Sequence, residues 1–128
     1  FNARVRRWCA GAILRKAART DAVADVRSLS GLPGLRLNSE TMKGSLGETP
    51  LHIAAAAGCA EALRALLGAG MDPNIEDSIS ERPLHYTALA GRADMVKELL
   101  AARADPWAES VFAETPLQVA RQNPAAFL

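Results

Sequence analysis

The sequence contains few cysteines, few aromatic residues and no long apolar run. Its two cysteines, Cys9 and Cys59, stand 50 residues apart with no CxxC pair, which excludes a disulfide framework and a cysteine-based zinc site. Six aromatic residues among 128 are too few for a typical aromatic-rich β-sandwich. Charges, prolines or glycines interrupt every apolar stretch before it reaches about 18 residues, so the sequence predicts no transmembrane helix.

Alanine, in contrast, is abundant. The chain has 26 alanines, and alanine is the strongest helix former and the smallest residue that allows helices to pack closely. Hydrophobic residues make up 49% and charged residues 23%, close to the average of globular domains. A chain of 128 residues is long enough for one domain with its own core. The composition therefore predicts a single helical domain.

Basic residues are concentrated at the start of the sequence. Residues 1–20 carry six basic side chains and no acid, whereas residues 21–128 carry nine bases and fourteen acids. A basic segment on an acidic body is not typical of a duplex-binding domain, so we expect no nucleic-acid partner. The sequence begins at Phe1 rather than Met, which favours a processed form or a fragment. With so few cysteines, we expect a reducing intracellular compartment, either the cytoplasm or an organelle matrix or stroma.

A nine-residue segment occurs three times at a spacing of 33 residues. It reads GETPLHIAA at 47–55, SERPLHYTA at 80–88 and AETPLQVAR at 113–121. Downstream landmarks keep the same register, since Gly58 corresponds to Gly91 and Asp72 to Asp105. A fixed period of this length predicts a solenoid whose units share one continuous core.

Each unit is predicted to contain two helices and an extended loop. Thr49 and Thr115 precede a proline, which is favourable at the first position of a helix, and each threonine hydroxyl can accept a backbone N–H there. Gly58 and Gly91 are placed to end that helix in a left-handed conformation. The second helix carries one apolar stripe that we expect to face the core, formed by Leu63, Leu66 and Leu67 in one unit and by Val96, Leu99 and Leu100 in the next.

These motifs resemble the ankyrin repeat, which has a Thr-Pro-Leu-His helix start, a glycine turn, paired leucines and an extended finger. The resemblance covers residues 44–128, as repeats 44–76, 77–109 and a truncated 110–128. Residues 1–43 are interpreted as a basic amphipathic helix and a degenerate capping repeat. Pro124 can open the second helix of the last repeat. The resemblance implies an all-α solenoid of helix-turn-helix units with β-hairpin fingers.

The resemblance also implies a function. Ankyrin repeats present a groove and finger tips to other proteins, so we expect a non-catalytic module that binds a protein or a protein complex. The alternative is a structural accessory subunit embedded in a large assembly, including an organellar membrane complex. No nucleophile with its base and no phosphate-binding loop is present, so no enzyme activity, cofactor or metal is expected.

Candidate binding residues depart from the repeat pattern. Apolar residues occupy the position before the tip glycine, and the glycine survives only at Gly47, being replaced by Ser80 and Ala113. Ordinary packing between neighbouring fingers is the alternative to a binding role for these residues. The predicted partner-binding residues are Leu46, Ile79 and Phe112 at the tips, Ile53, Tyr86 and Leu89 on the inner helices, and Trp107 in the position of Asn74.

His52 and His85 are the remaining candidates for chemistry. The third copy of this position is Gln118, a poor transition-metal ligand that can still hydrogen-bond the backbone, so a structural role is favoured. Asn74 is similar to the asparagines that are hydroxylated in some ankyrin repeats, although a hairpin asparagine bonded to the backbone is the favoured interpretation.

The N-terminal segment has an amphipathic pattern of its own. Residues 1–18 are predicted to form a helix that seals the first repeat, with Trp8 and Ile13 buried and the arginines in solvent. There are two alternatives to this capping helix. One is a helix that lies on an anionic membrane, which would be the only membrane contact of the chain, and the other is the end of a transit region.

Overall fold

The computed structural model describes residues 3–31 and 35–122, and within them the side chains of all residues except 3–9 and Thr41. These ranges contain helices and turns and no assigned strand, which confirms the all-α prediction. A short 3-10 helix spans Glu40–Met42. The α-helices are α1 (Ala3–Thr20), α2 (Val23–Ser30), α3 (Pro50–Ala57), α4 (Ala60–Gly68), α5 (Pro83–Ala90), α6 (Ala93–Ala101) and α7 (Pro116–Arg121).

The helix boundaries follow the local sequence signals. Thr49 precedes α3, and its Oγ1 accepts the backbone N–H of His52 at 3.3 Å. Thr115 caps α7 in the same way. Gly58 and Gly91 follow α3 and α5 with φ of 75° and 72°, the left-handed conformation expected of a helix end. The predicted starts and stops of the repeat helices are thus confirmed.

The helices form two stacked rows. α1, α3, α5 and α7 pack side by side as the inner row, and α2, α4 and α6 each pack beside the inner helix that precedes them. The core runs continuously between the rows and includes Leu51, Leu63 and Leu66. The predicted stripe is only partly correct, because Leu100 is exposed and the buried positions of α6 are Met95 and Leu99. Leu100 lies beside α7, where no further outer helix packs among the described residues.

The first helix differs from the prediction in its buried face. Ile13, predicted to be buried, is 46% exposed, whereas Leu14 is fully buried together with Ala10, Ala17 and Ala18. These small residues allow α1 to approach α3 closely, so α1 packs as the first inner helix of the stack. The side chain of Trp8 and the residue Pro124 lie outside the described residues.

Each finger is a tight turn closed by two backbone hydrogen bonds. The first joins the ends of the turn, from Gly44 N–H to Glu48 (2.7 Å), from Asp77 N–H to Glu81 (2.9 Å) and from Ser110 N–H to Glu114 (3.0 Å). The second runs from the left-handed tip residue back to the first residue of the finger, at 2.9–3.1 Å. The fingers are therefore shorter than regular hairpins. We define finger 1 as residues 44–48, finger 2 as 77–81 and finger 3 as 110–114.

Adjacent fingers are joined through their backbones. The N–H of Ser78 donates to the carbonyl of Leu46 at 3.1 Å, and the N–H of Val111 donates to the carbonyl of Ile79 at 3.0 Å. The three tips are therefore held in a fixed relative register.

The fold predicts that two glycine substitutions at the tips will stabilise it. Ser80 and Ala113 adopt left-handed backbones, with φ of 59° and 57°, in the position that Gly47 occupies in finger 1. That conformation costs an L-residue roughly 1–2 kcal/mol, and the extra freedom of glycine in the unfolded chain offsets about 0.4–1 kcal/mol. We expect Ser80→Gly and Ala113→Gly each to raise the free energy of unfolding by about 0.5–1 kcal/mol in urea titrations. Ala65→Gly, inside α4, should instead lower it by about 1 kcal/mol, and a loss of stability in the tip variants would contradict the account.

Candidate functional site

The three predicted tip residues stand side by side on adjacent fingers. Leu46 is 70% exposed, Ile79 37% and Phe112 65%. Packing between fingers therefore covers part of the Ile79 side chain, whereas the side chains of Leu46 and Phe112 remain largely in solvent. We call Leu46, Ile79 and Phe112 the tip ridge. Val111, which is also exposed beside Phe112, was missed because its counterparts Ser45 and Ser78 give no apolar pattern.

A groove runs between the fingers and the inner helices. It has a volume of about 440 Å³ and is lined by Leu46, Glu48 and Tyr86, with Arg19 at the end of α1. Ile53 also lines it but is only 8% exposed and belongs to the core, so it forms the floor of the groove. Leu89 is half exposed on α5, one repeat beyond the groove residue Ala56. The structure therefore brings Leu46, Ile53 and Tyr86 together.

Asp77 fixes finger 2 to helix α5. Its Oδ1 accepts the backbone N–H of Ile79 at 3.0 Å and that of Glu81 at 2.9 Å. Its Oδ2 accepts a short hydrogen bond from the Tyr86 hydroxyl. Burial, reinforced by this hydrogen bond and by the Asp77 charge, raises the pKa of Tyr86 and keeps its hydroxyl a donor. The repeat pattern does not indicate a role for Asp77, because Gly44 and Ser110 occupy the equivalent positions.

Trp107 is not among the residues that line the groove. Its counterpart Asn74 faces the next repeat, where its Nδ2 donates to the carbonyl of Arg103 at 3.1 Å and its Oδ1 accepts the N–H of Asp105 at 2.7 Å. The backbone-bonded interpretation of Asn74 is therefore confirmed. Trp107 is 74% exposed and follows Pro106, which lines an apolar cavity of about 430 Å³ with Leu100 and Leu117. The binding role of Trp107 stays a prediction.

Both histidines connect neighbouring repeats. His52 Nδ1 accepts the backbone N–H of Thr49 at 3.1 Å, and Nε2 lies 2.9 Å from the carbonyl oxygen of Glu81, to which it donates. His85 repeats the arrangement, accepting from the N–H of Arg82 at 3.0 Å and donating to the carbonyl of Glu114 at 2.9 Å. Since both ring nitrogens are engaged with backbone groups, the structural interpretation of the histidines is supported.

The buried histidine at position 52 predicts a pH dependence of stability. Burial lowers the pKa of His52 below its ordinary value of 6.5. The unfolded chain therefore binds more protons below about pH 6.5, and stability falls as the pH drops through this range. His52→Gln should cost about 1 kcal/mol at pH 8, since the shorter side chain releases the carbonyl of Glu81.

The two proteins are compared by urea unfolding at intervals between pH 8 and about pH 5. We expect the stability difference between wild type and His52→Gln to shrink as the pH falls, because only the wild type must keep this imidazole neutral. Burial raises the pKa of Glu81, which increases stability as the pH falls, but this contribution is common to both proteins. A pH-independent difference would contradict the assignment.

Other reactive groups give no site in the described part of the chain. No group of three or more His, Cys, Asp or Glu residues there is arranged to hold a metal ion. None of the helices of residues 3–31 and 35–122 is long and apolar enough to cross a membrane. Cys59 is partly exposed beside the end of α1, and the side chain of Cys9 lies outside the described residues. Partial burial raises the pKa of the Cys59 thiol, which makes it less reactive.

Comparison with known families agrees with this architecture. A family model described as ankyrin repeats (3 copies) matches residues 14–110, most of the chain and including the degenerate first repeat. The chain therefore belongs to the ankyrin repeat family. No curated protein sequence matches it significantly. Ankyrin repeats are generally protein–protein interaction modules and are typically not enzymes.

Proposed function

We propose that this protein is a non-catalytic module that binds a partner protein through the tip ridge and the adjoining inner-helix face of Tyr86 and Leu89. One observation carries the proposal: three large apolar side chains on adjacent fingers face solvent while backbone hydrogen bonds hold the fingers in register. Aligned exposed apolar side chains are typical of protein interaction sites. The proposal involves no nucleic acid, metal or cofactor.

The energetics of the ridge are compatible with this role. Covering a large apolar side chain contributes roughly 1.5–3 kcal/mol, so the ridge could contribute on the order of 5 kcal/mol before the costs of association. The fingers are already fixed to one another, which reduces the entropy lost on binding. Because Leu46 and Phe112 are mostly in solvent, the fold itself gains little from them.

The test separates binding from stability. A double variant, Leu46→Ser with Phe112→Ser, is compared with wild type by quantitative affinity purification of partners from the source cells. Ile13→Ser, which changes an exposed apolar residue on α1, is the matched control. Ile79 is left unchanged because it is the most buried of the three.

Because the double variant loses two hot-spot residues, we expect it to retain at most about one tenth of the bound partner. We also expect its melting temperature to lie within about 2 °C of that of wild type. The control should bind normally. Full retention of the partner, or a melting temperature far below that of wild type, would show that the ridge serves the fold.

The alternative of a permanently assembled subunit gains support from the second apolar surface formed by Leu100, Pro106 and Leu117. Such a subunit would expose two apolar surfaces when isolated and would aggregate or require its neighbours. A free binding module should be a monodisperse monomer in light scattering at micromolar concentration. Aggregation abolished by Leu117→Ser would favour the subunit.

A further inference from the structure

A row of glutamates runs beside the tip ridge. Glu48, Glu81 and Glu114 recur at 33-residue spacing, each directly after the left-handed tip residue, and each is half-buried. Fingers 1, 2 and 3 contain these three carboxylates and Asp77 but no basic residue. We call Glu48, Glu81 and Glu114 the acidic row.

The backbone of the acidic row is fixed by the buried histidines. The carbonyl of Glu81 accepts the hydrogen bond from His52, and the carbonyl of Glu114 accepts the one from His85, both at 2.9 Å. The side chain of Glu48 lines the same groove as Leu46 and Tyr86. Charge and apolar surface are therefore presented together at fixed positions.

The acidic row lacks cationic partners within the described structure. Among residues 3–31 and 35–122 the ion pairs join Lys43 to Glu40, Arg64 to Glu98, and Arg82 to Glu76 and Asp105, and none includes the acidic row. Glu48 accepts the backbone N–H of Leu46 at 2.9 Å. Lys43 and Arg82 flank fingers 1 and 2 in the sequence, but their ion pairs are with residues outside the row. Arg19 lines the groove, and the ring of His85 bonds the backbone of Glu114.

The carboxylates also influence one another. The pKa of Glu81 is raised by burial first and then by the charges of Asp77 and Glu114. Glu48 and Glu81 both contribute to raising the pKa of Tyr86. Half-buried carboxylates that repel one another gain from a cation supplied by a ligand.

From the charge complementarity, and resting on the proposed function, we infer that the partner contributes a basic and apolar polypeptide segment. Its apolar side chains cover Leu46, Ile79 and Phe112, and its lysine or arginine side chains pair with Glu48, Glu81 and Glu114. Repeats stack about 10 Å apart, so the ridge is about 20 Å long. An extended chain rises about 3.3 Å per residue, so about six residues span it.

The experiment uses a random peptide library of about ten residues per peptide, selected on the immobilised protein. The most enriched peptide is then synthesised and titrated by fluorescence anisotropy against wild type and two variants. One variant carries Glu48→Gln, Glu81→Gln and Glu114→Gln, and the other is Leu46→Ser with Phe112→Ser. The triple variant keeps the shape of the fingers because glutamine is nearly isosteric with glutamate.

We expect enriched peptides to combine Lys or Arg with large apolar residues. The triple variant should bind the chosen peptide about tenfold more weakly, as the loss of several exposed ion pairs implies. Raising the salt concentration from about 0.05 M to about 0.5 M should weaken wild-type binding and leave the triple variant nearly unchanged.

Three other results would overturn one or the other part of the account. The inference about charge would be overturned if the enriched peptides were neutral or acidic, or if the triple variant bound the peptide as tightly as wild type. In either case, a loss of binding in the ridge variant would still support the proposed function. Full affinity in the ridge variant would overturn the proposed function. Binding that falls in both variants, with wild-type melting curves, supports both.

Discussion

Gly47→Ala is expected to lower the free energy of unfolding by about 2–4 kcal/mol. Gly47 has φ of 76°, a conformation that costs an alanine roughly 1–2 kcal/mol. A Cβ at this position would lie 2.4 Å from the backbone nitrogen of Ser78 and 3.0 Å from the carbonyl carbon of Asp77. Neither backbone atom can move freely, because Ser78 N–H is bonded to Leu46, so overpacking adds about 1–3 kcal/mol.

Gly68→Ala is the matched control for this prediction. Gly68 is the last residue of α4, and a Cβ there would meet nothing within 4 Å. Alanine should be neutral or stabilising by up to about 1 kcal/mol at that position. Urea unfolding of both variants measures the difference. Equal stability of Gly47→Ala and wild type would show that fingers 1 and 2 are not in the close contact described.

Asp77→Ala is expected to lower the free energy of unfolding by a similar amount, about 2–4 kcal/mol. The substitution removes the acceptor for the N–H groups of Ile79 and Glu81 and for the Tyr86 hydroxyl. Hydrogen bonds to charged groups contribute about 1.5–3 kcal/mol each and are not additive within one network. Finger 2 would lose its attachment to α5, so partner binding should weaken as well.

Two variants separate the parts of this network. Asp77→Asn keeps an oxygen that can accept the two backbone N–H groups, and Tyr86→Phe removes only the hydroxyl. Both should cost less than Asp77→Ala in denaturant titrations. An Asp77→Ala variant as stable as Tyr86→Phe would mean that the carboxylate does not brace the turn.

The repeat architecture was predictable because its determinants are local and periodic. Thr49 with Pro50 begins a helix and Gly58 ends it through backbone chemistry that requires no knowledge of distant residues. A structural role for His52 was predictable because the corresponding residue of the last repeat is a glutamine, Gln118. The acceptor of the His52 hydrogen bond, the carbonyl of Glu81, was not predictable because it depends on how closely the repeats stack, and no local pattern encodes that distance.

Other features depend on contacts between elements and were predicted wrongly or missed. Ile13 was expected in the core because it is large, but alanines on the adjacent face pack more closely against α3. Asp77 was missed because its role requires Tyr86, which approaches only after α5 is placed beside finger 2.

Site-specific photo-crosslinking tests the central claim, that the tip ridge is the partner surface, most directly. A photoreactive phenylalanine analogue replaces Leu46, Phe112 or, as a control on the outer helix α6, the exposed Lys97. Each protein is irradiated in extracts of the source cells, and crosslinked products are identified by mass spectrometry. The account predicts that positions 46 and 112 capture the same protein and that position 97 does not. If a partner protein were captured at position 97 and at neither position 46 nor position 112, the claim would be contradicted.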